Sequence, residues 1–191
     1  DYKSECRHGM AYTKIAADYS GIHTEALYYV PLDKSYEVWN LSVSNQSETV
    51  RNLSITGYAE FTNVSNYEQD QVNLQYSQFI TRTKFSGNRI CQLIHGNLDG
   101  LAKGEDVDDK IVIQRFFGMA GAEIKSYCGD REKFLGRYHG YGNPQGVING
   151  ELAGTLNYNE NGCGALTAVL TLAPGETKTI AFILGMKDDA E

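Results

Sequence analysis

Apolar side chains recur at every second position along four stretches of this chain. Trp39, Leu41 and Val43 alternate with polar residues across 36–44, and Leu53, Ile55, Ala59 and Phe61 do so across 53–61. Leu166, Ala168, Leu170 and Leu172, then Ile180, Phe182 and Leu184, repeat the pattern near the end. A period of two places those side chains on one face of a pleated strand and leaves the other face polar. No window sustains an apolar 3.6-residue period over three turns, so helix is expected only as one short turn around 132–135.

The polar link 45–52 between the first two stretches predicts an antiparallel hairpin, and Ala173-Pro174-Gly175-Glu176 between the last two predicts a second. Further strands are expected at 12–17, 25–31, 76–84, 90–96 and 111–117. The composition of 13 Tyr, 20 Gly and only 3 Pro suits pleated strands joined by glycine turns. Many short strands in 191 residues predict an all-β, antiparallel two-sheet sandwich forming a single domain over 1–191. The segment 129–154 breaks the strand rhythm and reads as a long ordered loop, the kind of place where sites are built.

Charge and composition exclude several classes. The formal net charge is −7 and the basic residues are scattered, which argues against binding a phosphate backbone, so no nucleic-acid partner is expected. The longest apolar runs are far too short to cross a bilayer as a helix, so no membrane partner is expected. Cys6, Cys91, Cys128 and Cys163 form no C-x-x-C pair and read as free thiols of a reducing, cytoplasmic setting. Isolated His8, His23, His95 and His139 give no zinc spacing, and no metal or cofactor is expected. The N-x-[ST] matches at Asn40, Asn45, Asn52 and Asn63 read as chance in a chain rich in Asn, Ser and Thr. The opening Asp1, with no initiator Met and no apolar leader, is expected to be a cut.

No nucleophile elbow, P-loop or H-E-x-x-H occurs, so no catalytic residue is assigned. Glu105, Asp106, Asp108 and Asp109 lack the ligand alternation of a calcium loop and read as solvated. Glu25, Glu37, Glu60 and Glu151 stand alone, with no reason to pair as glycosidase carboxylates would. Within 129–154, Arg131, Arg137, His139 and Gln145 interleave with Tyr138 and Tyr141. Planar donors beside aromatic faces suit a sugar, whose hydroxyls take bidentate bonds and whose C–H faces stack; an interface or a turn-stabilising loop is the other reading. The polar surplus of 69–89, with Asn73, Gln75, Gln78, Arg82 and Arg89, is open to the same two readings.

Specific words in the chain are familiar. Glu5-Cys6-Arg7-His8-Gly9-Met10-Ala11-Tyr12-Thr13-Lys14-Ile15, Gly21-Ile22 and Tyr29-Val30-Pro31-Leu32 resemble the amino-terminal domain of the cellobiose and cellodextrin phosphorylases of glycoside hydrolase family 94. Arg131-Glu132-Lys133-Phe134-Leu135-Gly136, followed by Gly140, Pro144, Val147 and Gly150, is similar to a loop of that family, and Leu172-Ala173-Pro174-Gly175-Glu176 to its closing turn.

The resemblance implies a galactose-mutarotase-like super-sandwich that lacks its first strands here and belongs to a larger enzyme. Its partners would be its own (α/α)-barrel catalytic domain, cello-oligosaccharides, inorganic phosphate as co-substrate, and a second subunit in a homodimer. The family's sugar-contacting loop is matched at Asn73-Leu74-Gln75, whereas Tyr76 stands where the family has Arg. Exchanging a charged clamp for an aromatic is what a site admitting longer acceptors would do, so a cellodextrin substrate is expected. The candidate substrate-binding residues are therefore Asn73, Gln75, Tyr76, Arg82, Arg131, Arg137 and Tyr138. A non-catalytic carbohydrate-binding or structural module, and a phosphorylase of cellobiose or another β-disaccharide, are the alternatives.

Overall fold

Alternating apolar and polar residues form the strands of a computed structural model that describes residues 2–61, 72, 78–95 and 111–187. In chain order these are β1 (Lys3–His8), β2 (Tyr12–Tyr19), β3 (Ile22–Tyr29), β4 (Tyr36–Asn45), β5 (Arg51–Glu60), β6 (Thr81–Ser86), β7 (Arg89–His95), β8 (Ile111–Ala120), β9 (Ser126–Asp130), β10 (Gly162–Leu172) and β11 (Thr177–Lys187). Between β9 and β10 lie two short helices, α1 (Arg131–Leu135) and α2 (Gln145–Ile148). Every strand pair is antiparallel. Eight strands make one sheet in the order β1-β2-β3-β4-β11-β8-β7-β6, and β5-β10-β9 make the second. The fold is the all-β two-sheet sandwich that the alternation predicts.

The strands sit where they are expected, but the two hairpins do not form. β4 and β5 belong to different sheets, as do β10 and β11. Each pair faces across the core instead of sharing hydrogen bonds, because a strand with one apolar face buries it equally well beside or opposite its neighbour. Asn45 holds both crossovers. Its side-chain nitrogen donates to the carbonyls of Thr49, Leu172 and Ala173 at 2.7, 3.1 and 3.1 Å, and its oxygen accepts from the Ser47 amide at 3.0 Å. One buried amide thus satisfies carbonyls at both corners.

β1 and β9 were not foreshadowed by alternation. Every residue of β1 is exposed, and β9 reads Ser-Tyr-Cys-Gly-Asp, so neither shows a two-residue apolar period. The strand expected over 76–84 begins only at Thr81; 76–77 lie outside the described residues.

The core between the sheets contains Val43, Ile90, Phe117, Met119, Leu166, Ala168, Leu172, Ile180 and Phe182. Phe117 and Phe182 lie parallel with centroids 5.6 Å apart. Gly57 of β5 and Gly164 of β10 face these rings, and a Cβ at Gly164 would lie 2.5 Å from the Phe117 Cβ. Glycine is used here for close approach of the two sheets. A smaller cluster, Cys128, Phe134, Leu135, Leu152, Cys163 and Ala165, packs α1 onto the outer face of the three-stranded sheet. The four cysteines are free thiols, Cys6 exposed and the others buried.

Candidate functional site

The longest loop region of the described residues is anchored by α1. Asp130 ends β9 in an extended conformation, and its carboxylate accepts the Lys133 amide at 3.0 Å, so the chain turns from strand into helix at a capped junction. Gly136 stops the helix at φ +83°; a Cβ there would sit 2.6 Å from the Gln145 Cβ, so the turn into α2 closes only with glycine. On the buried side, Phe134 stacks on Tyr58 of β5, with centroids 4.3 Å apart and 13° between planes. That contact fixes the helix over the end of β5.

The consequence is a polar knot that joins residues far apart in sequence. Arg131 Nε donates to Glu60 Oε1 at 2.7 Å, and Arg131 Nη2 donates to the Tyr141 hydroxyl oxygen at 2.8 Å. Tyr141 and Tyr58 each donate their hydroxyl proton to the same Glu60 oxygen at 2.6 Å. Burial alone would raise the Glu60 carboxyl, but hydrogen bonds from Tyr141, Tyr58 and Arg131 outweigh it and hold the group below the usual carboxylate range. Hydrogen bonds to Tyr141 and Glu60 likewise raise Arg131 further, so the pair is fully ionised. Burial, then the bond to Glu60, pushes the Tyr58 phenol up.

Arg131 also lines a polar cavity of about 340 Å³ with Gln78, Glu132, Leu135, Gly136, His139, Glu160 and Asn161. Its walls are braced. Asn157 binds both the carbonyl and the amide of Glu160, and His139 Nδ1 donates to the Asn143 carbonyl at 2.9 Å. A carbonyl only accepts, so Nδ1 carries a proton and the ring edge bearing Nε2 is left free of that bond. The cavity therefore offers a fixed guanidinium, two carboxylates, two amides and an imidazole. Mixed donors and acceptors with no net positive charge suit a neutral polyhydroxyl compound better than an anion. On the other side of the knot, Glu60, Lys34, Tyr36, Glu37 and Arg115 border a second cleft of about 410 Å³ at the end of the sandwich. No group of three His, Cys, Asp or Glu among the described residues is arranged to hold a metal.

Of the residues singled out from sequence, Arg131 is in the cavity wall. Arg137 and Tyr138 are exposed on the turn after α1 and are not among the residues lining it. Arg82 is half-buried on β6, which bridges to Tyr158. Asn73, Gln75 and Tyr76 lie outside the described residues, as does the acidic run at 105–109. Sequence reasoning missed Glu60, Tyr58, Asn161 and Glu160. Glu60 stands 71 positions from Arg131, and only its placement two residues after Tyr58 on one strand face hinted at a partner.

A family sequence model described as "Glycosyl hydrolase 94, supersandwich domain" matches residues 1–191. The chain is similar to two curated N,N'-diacetylchitobiose phosphorylases. That of Vibrio proteolyticus is 31% identical over 183 residues, covering 95% of this chain and 21% of the relative. That of Vibrio furnissii is 31% identical over 186 residues, covering 97% and 22%. It is also similar to a solabiose phosphorylase of Paenibacillus borealis, 25% identical over 188 residues, covering 97% and 22%. The chain thus spans about one fifth of the length of these relatives. A match along all of its residues, on an antiparallel two-sheet sandwich, shows that the chain belongs to glycosyl hydrolase family 94 as a supersandwich domain.

Proposed function

We propose that this domain is part of an inverting phosphorylase that splits β-1,4-gluco-oligosaccharides with inorganic phosphate. The products would be α-glucose 1-phosphate and a shortened cellodextrin. In such a reaction a general acid protonates the departing glycosidic oxygen while a phosphate oxygen attacks the anomeric carbon from the opposite face. Phosphate is already an anion, so one protein acid suffices. The domain contributes no catalytic residue in this reading and is inert alone; an (α/α)-barrel domain of the same polypeptide supplies the acid and the phosphate site. The sandwich supports a homodimer and walls the acceptor site with Arg131, Arg137 and Tyr138, joined by Arg82, Asn73, Gln75 and Tyr76. No cofactor is required. Free thiols suit a cytoplasmic enzyme.

The observation that supports the acceptor-wall role best is the Arg131 knot. A guanidinium oriented by Glu60 and Tyr141, beside a braced cavity of about 340 Å³, is organised before any ligand arrives. Glu60 itself, held ionised, cannot serve as the acid. The test is acceptor kinetics of the intact enzyme in the synthetic direction. Cellobiose preferred over glucose is expected, and Arg131→Ala should raise acceptor KM about tenfold, the loss of one charged hydrogen bond, with kcat little changed. A clear preference for glucose rejects the cellodextrin assignment. An unchanged acceptor KM together with a lost dimer leaves a purely structural sandwich.

A phosphorylase specific for a disaccharide is the second reading. It is favoured by the names of the relatives, which refer to chitobiose and solabiose.

A further inference from the structure

The word His8-Gly9-Met10-Ala11-Tyr12 turns the chain from β1 into β2 on a glycine that an aromatic ring requires. The Gly9 amide donates to the Tyr12 carbonyl at 2.8 Å and closes the turn. A Cβ at Gly9 would overlap the Tyr12 ring, so only glycine lets that ring lie against the turn. Seated there, Tyr12 is still 47% exposed. A ring held by close packing on one side and open on the other is a stacking surface that loses little freedom when a ligand covers it.

Tyr12 borders a cleft of about 440 Å³ at the end of the larger sheet, with Gly9, Met10, Tyr28, Tyr29 and Glu37. Tyr12 pairs with Tyr29, whereas Tyr28 pairs with Thr13 and Trp39. Neighbours along a strand point to opposite faces, so the three rings are spread around the strand ends and do not box in one small ligand. Behind Tyr28 stands Trp39, with ring centroids 5.6 Å apart.

The polar groups at this end are unengaged. Glu37 lies on the core side of the sheet with Trp39, since it pairs with Leu184 as Trp39 does with Phe182. Among the described residues Glu37 makes no hydrogen bond or ion pair, and a half-buried carboxylate is poorly satisfied until something donates to it. Burial first, and the Glu37 charge second, push the Tyr28 phenol above its usual value, so that hydroxyl stays a neutral donor beside an acceptor. The indole N–H of Trp39 is buried and has no partner either.

No Lys, Arg or His is among the described residues that line this cleft, so an anionic ligand would meet no counter-charge. Aromatic faces beside free donors and a free carboxylate suit a neutral polyhydroxyl chain, whose C–H faces stack while its hydroxyls donate and accept. The cleft also has an outlet. Val30 and Glu37 line it and the cleft of about 410 Å³ that Glu60 borders, so a ligand longer than one ring has a path onward.

We propose that the cleft between the β1–β2 turn and the adjoining ends of β3 and β4 is a second carbohydrate-binding site, which holds a neutral oligosaccharide against Tyr12 with Glu37 accepting from its hydroxyls. It shares no lining residue with the Arg131 cavity. The inference does not rest on the phosphorylase reading.

The test is hydroxyl-radical footprinting of the full-length protein with cellotetraose as the probe, read peptide by peptide by mass spectrometry. Met10 is fully exposed and its thioether oxidises readily, so it reports on the cleft together with Tyr12. Saturating cellotetraose should slow modification of both several-fold, and glucose 1-phosphate at the same concentration should not. The protection should persist in Arg131→Ala. In Glu37→Gln, which keeps the shape of the side chain, it should require about tenfold more cellotetraose, the loss of one charged hydrogen bond. Unchanged modification of Met10 and Tyr12 overturns the proposal, as does equal protection by glucose 1-phosphate. A Met10 that is already slow without sugar, relative to the urea-unfolded protein, shows polypeptide over the cleft and overturns it too. Protection lost in Arg131→Ala but intact in Glu37→Gln places the sugar in the Arg131 cavity, which overturns this site and leaves the acceptor-wall reading standing. Protection in the parent that survives Arg131→Ala, beside an unchanged acceptor KM in that variant, does the reverse.

Discussion

Tyr58 and Phe134 stack face to face 4.3 Å apart, directly beneath the ion pair between Glu60 and Arg131. The strand that carries the carboxylate and the helix that carries the guanidinium are thus located by an apolar contact, and the polar bonds then set the orientation. Charged geometry at the surface of this domain is inherited from packing below it.

Acid should loosen this knot. Hydrogen bonds keep Glu60 below its ordinary value, so its contribution is complete above about pH 4.5 and fades as the pH falls through the lowered native value. Glu60→Gln is expected to cost about 1 kcal/mol at pH 7, a charged hydrogen-bond loss reduced because Glu60 is partly exposed. Urea unfolding as a function of pH should show that the variant and the parent draw together as the pH falls through the lowered native value of Glu60.

Asn45→Ala should be among the most damaging single changes in the fold. It strips hydrogen bonds from three carbonyls at a buried position, at about 1 kcal/mol or more each. A loss of about 3 kcal/mol in denaturant titration is the expected result, whereas Asn52→Ala, whose side chain is exposed on β5, should stay within about 0.5 kcal/mol.

Gly57→Ala tests how closely the sheets meet. Its Cβ would fall against the Phe182 ring at the centre of the molecule, and overpacking of that kind costs about 1–3 kcal/mol. Pairing the change with Phe182→Leu should recover part of the loss, which a simple backbone-propensity effect would not.

Tyr138 is 99% exposed and holds φ at 67°, a conformation that few tyrosines adopt. Tyr138→Asn should raise stability by about 0.5–1 kcal/mol by relieving that strain. In the intact enzyme the same variant should raise acceptor KM several-fold if the ring stacks on sugar, so the midpoint of unfolding and the KM would both rise.

The strands were legible because one-sided burial imprints a period of two on residues such as Trp39, Leu41 and Val43, and Leu166 to Leu172. Which strands pair was not legible. The same period serves a hairpin and two strands facing across a core, and the amide that decides between them, Asn45, looks like any polar turn residue. The site was half legible for a similar reason. Arg131 stood out in a glycine-rich loop beside tyrosines, but Glu60 ends an ordinary strand, and its meaning comes from a helix that arrives over it much later in the chain. Short helices such as α2, one turn long, leave no periodic trace at all.

The position of the last two strands has a consequence for how this domain is made. β10 is the centre of the smaller sheet and β11 lies between β4 and β8 in the larger one. Until both have left the ribosome, β5 has no partner among the described strands, β4 lacks its neighbour β11 and the aromatic core has no Phe182. The nascent domain therefore cannot close progressively. It must wait with its apolar strands in hand and condense in one late step through contacts between residues more than a hundred positions apart, the topology that folds slowly and relies most on chaperones while it waits.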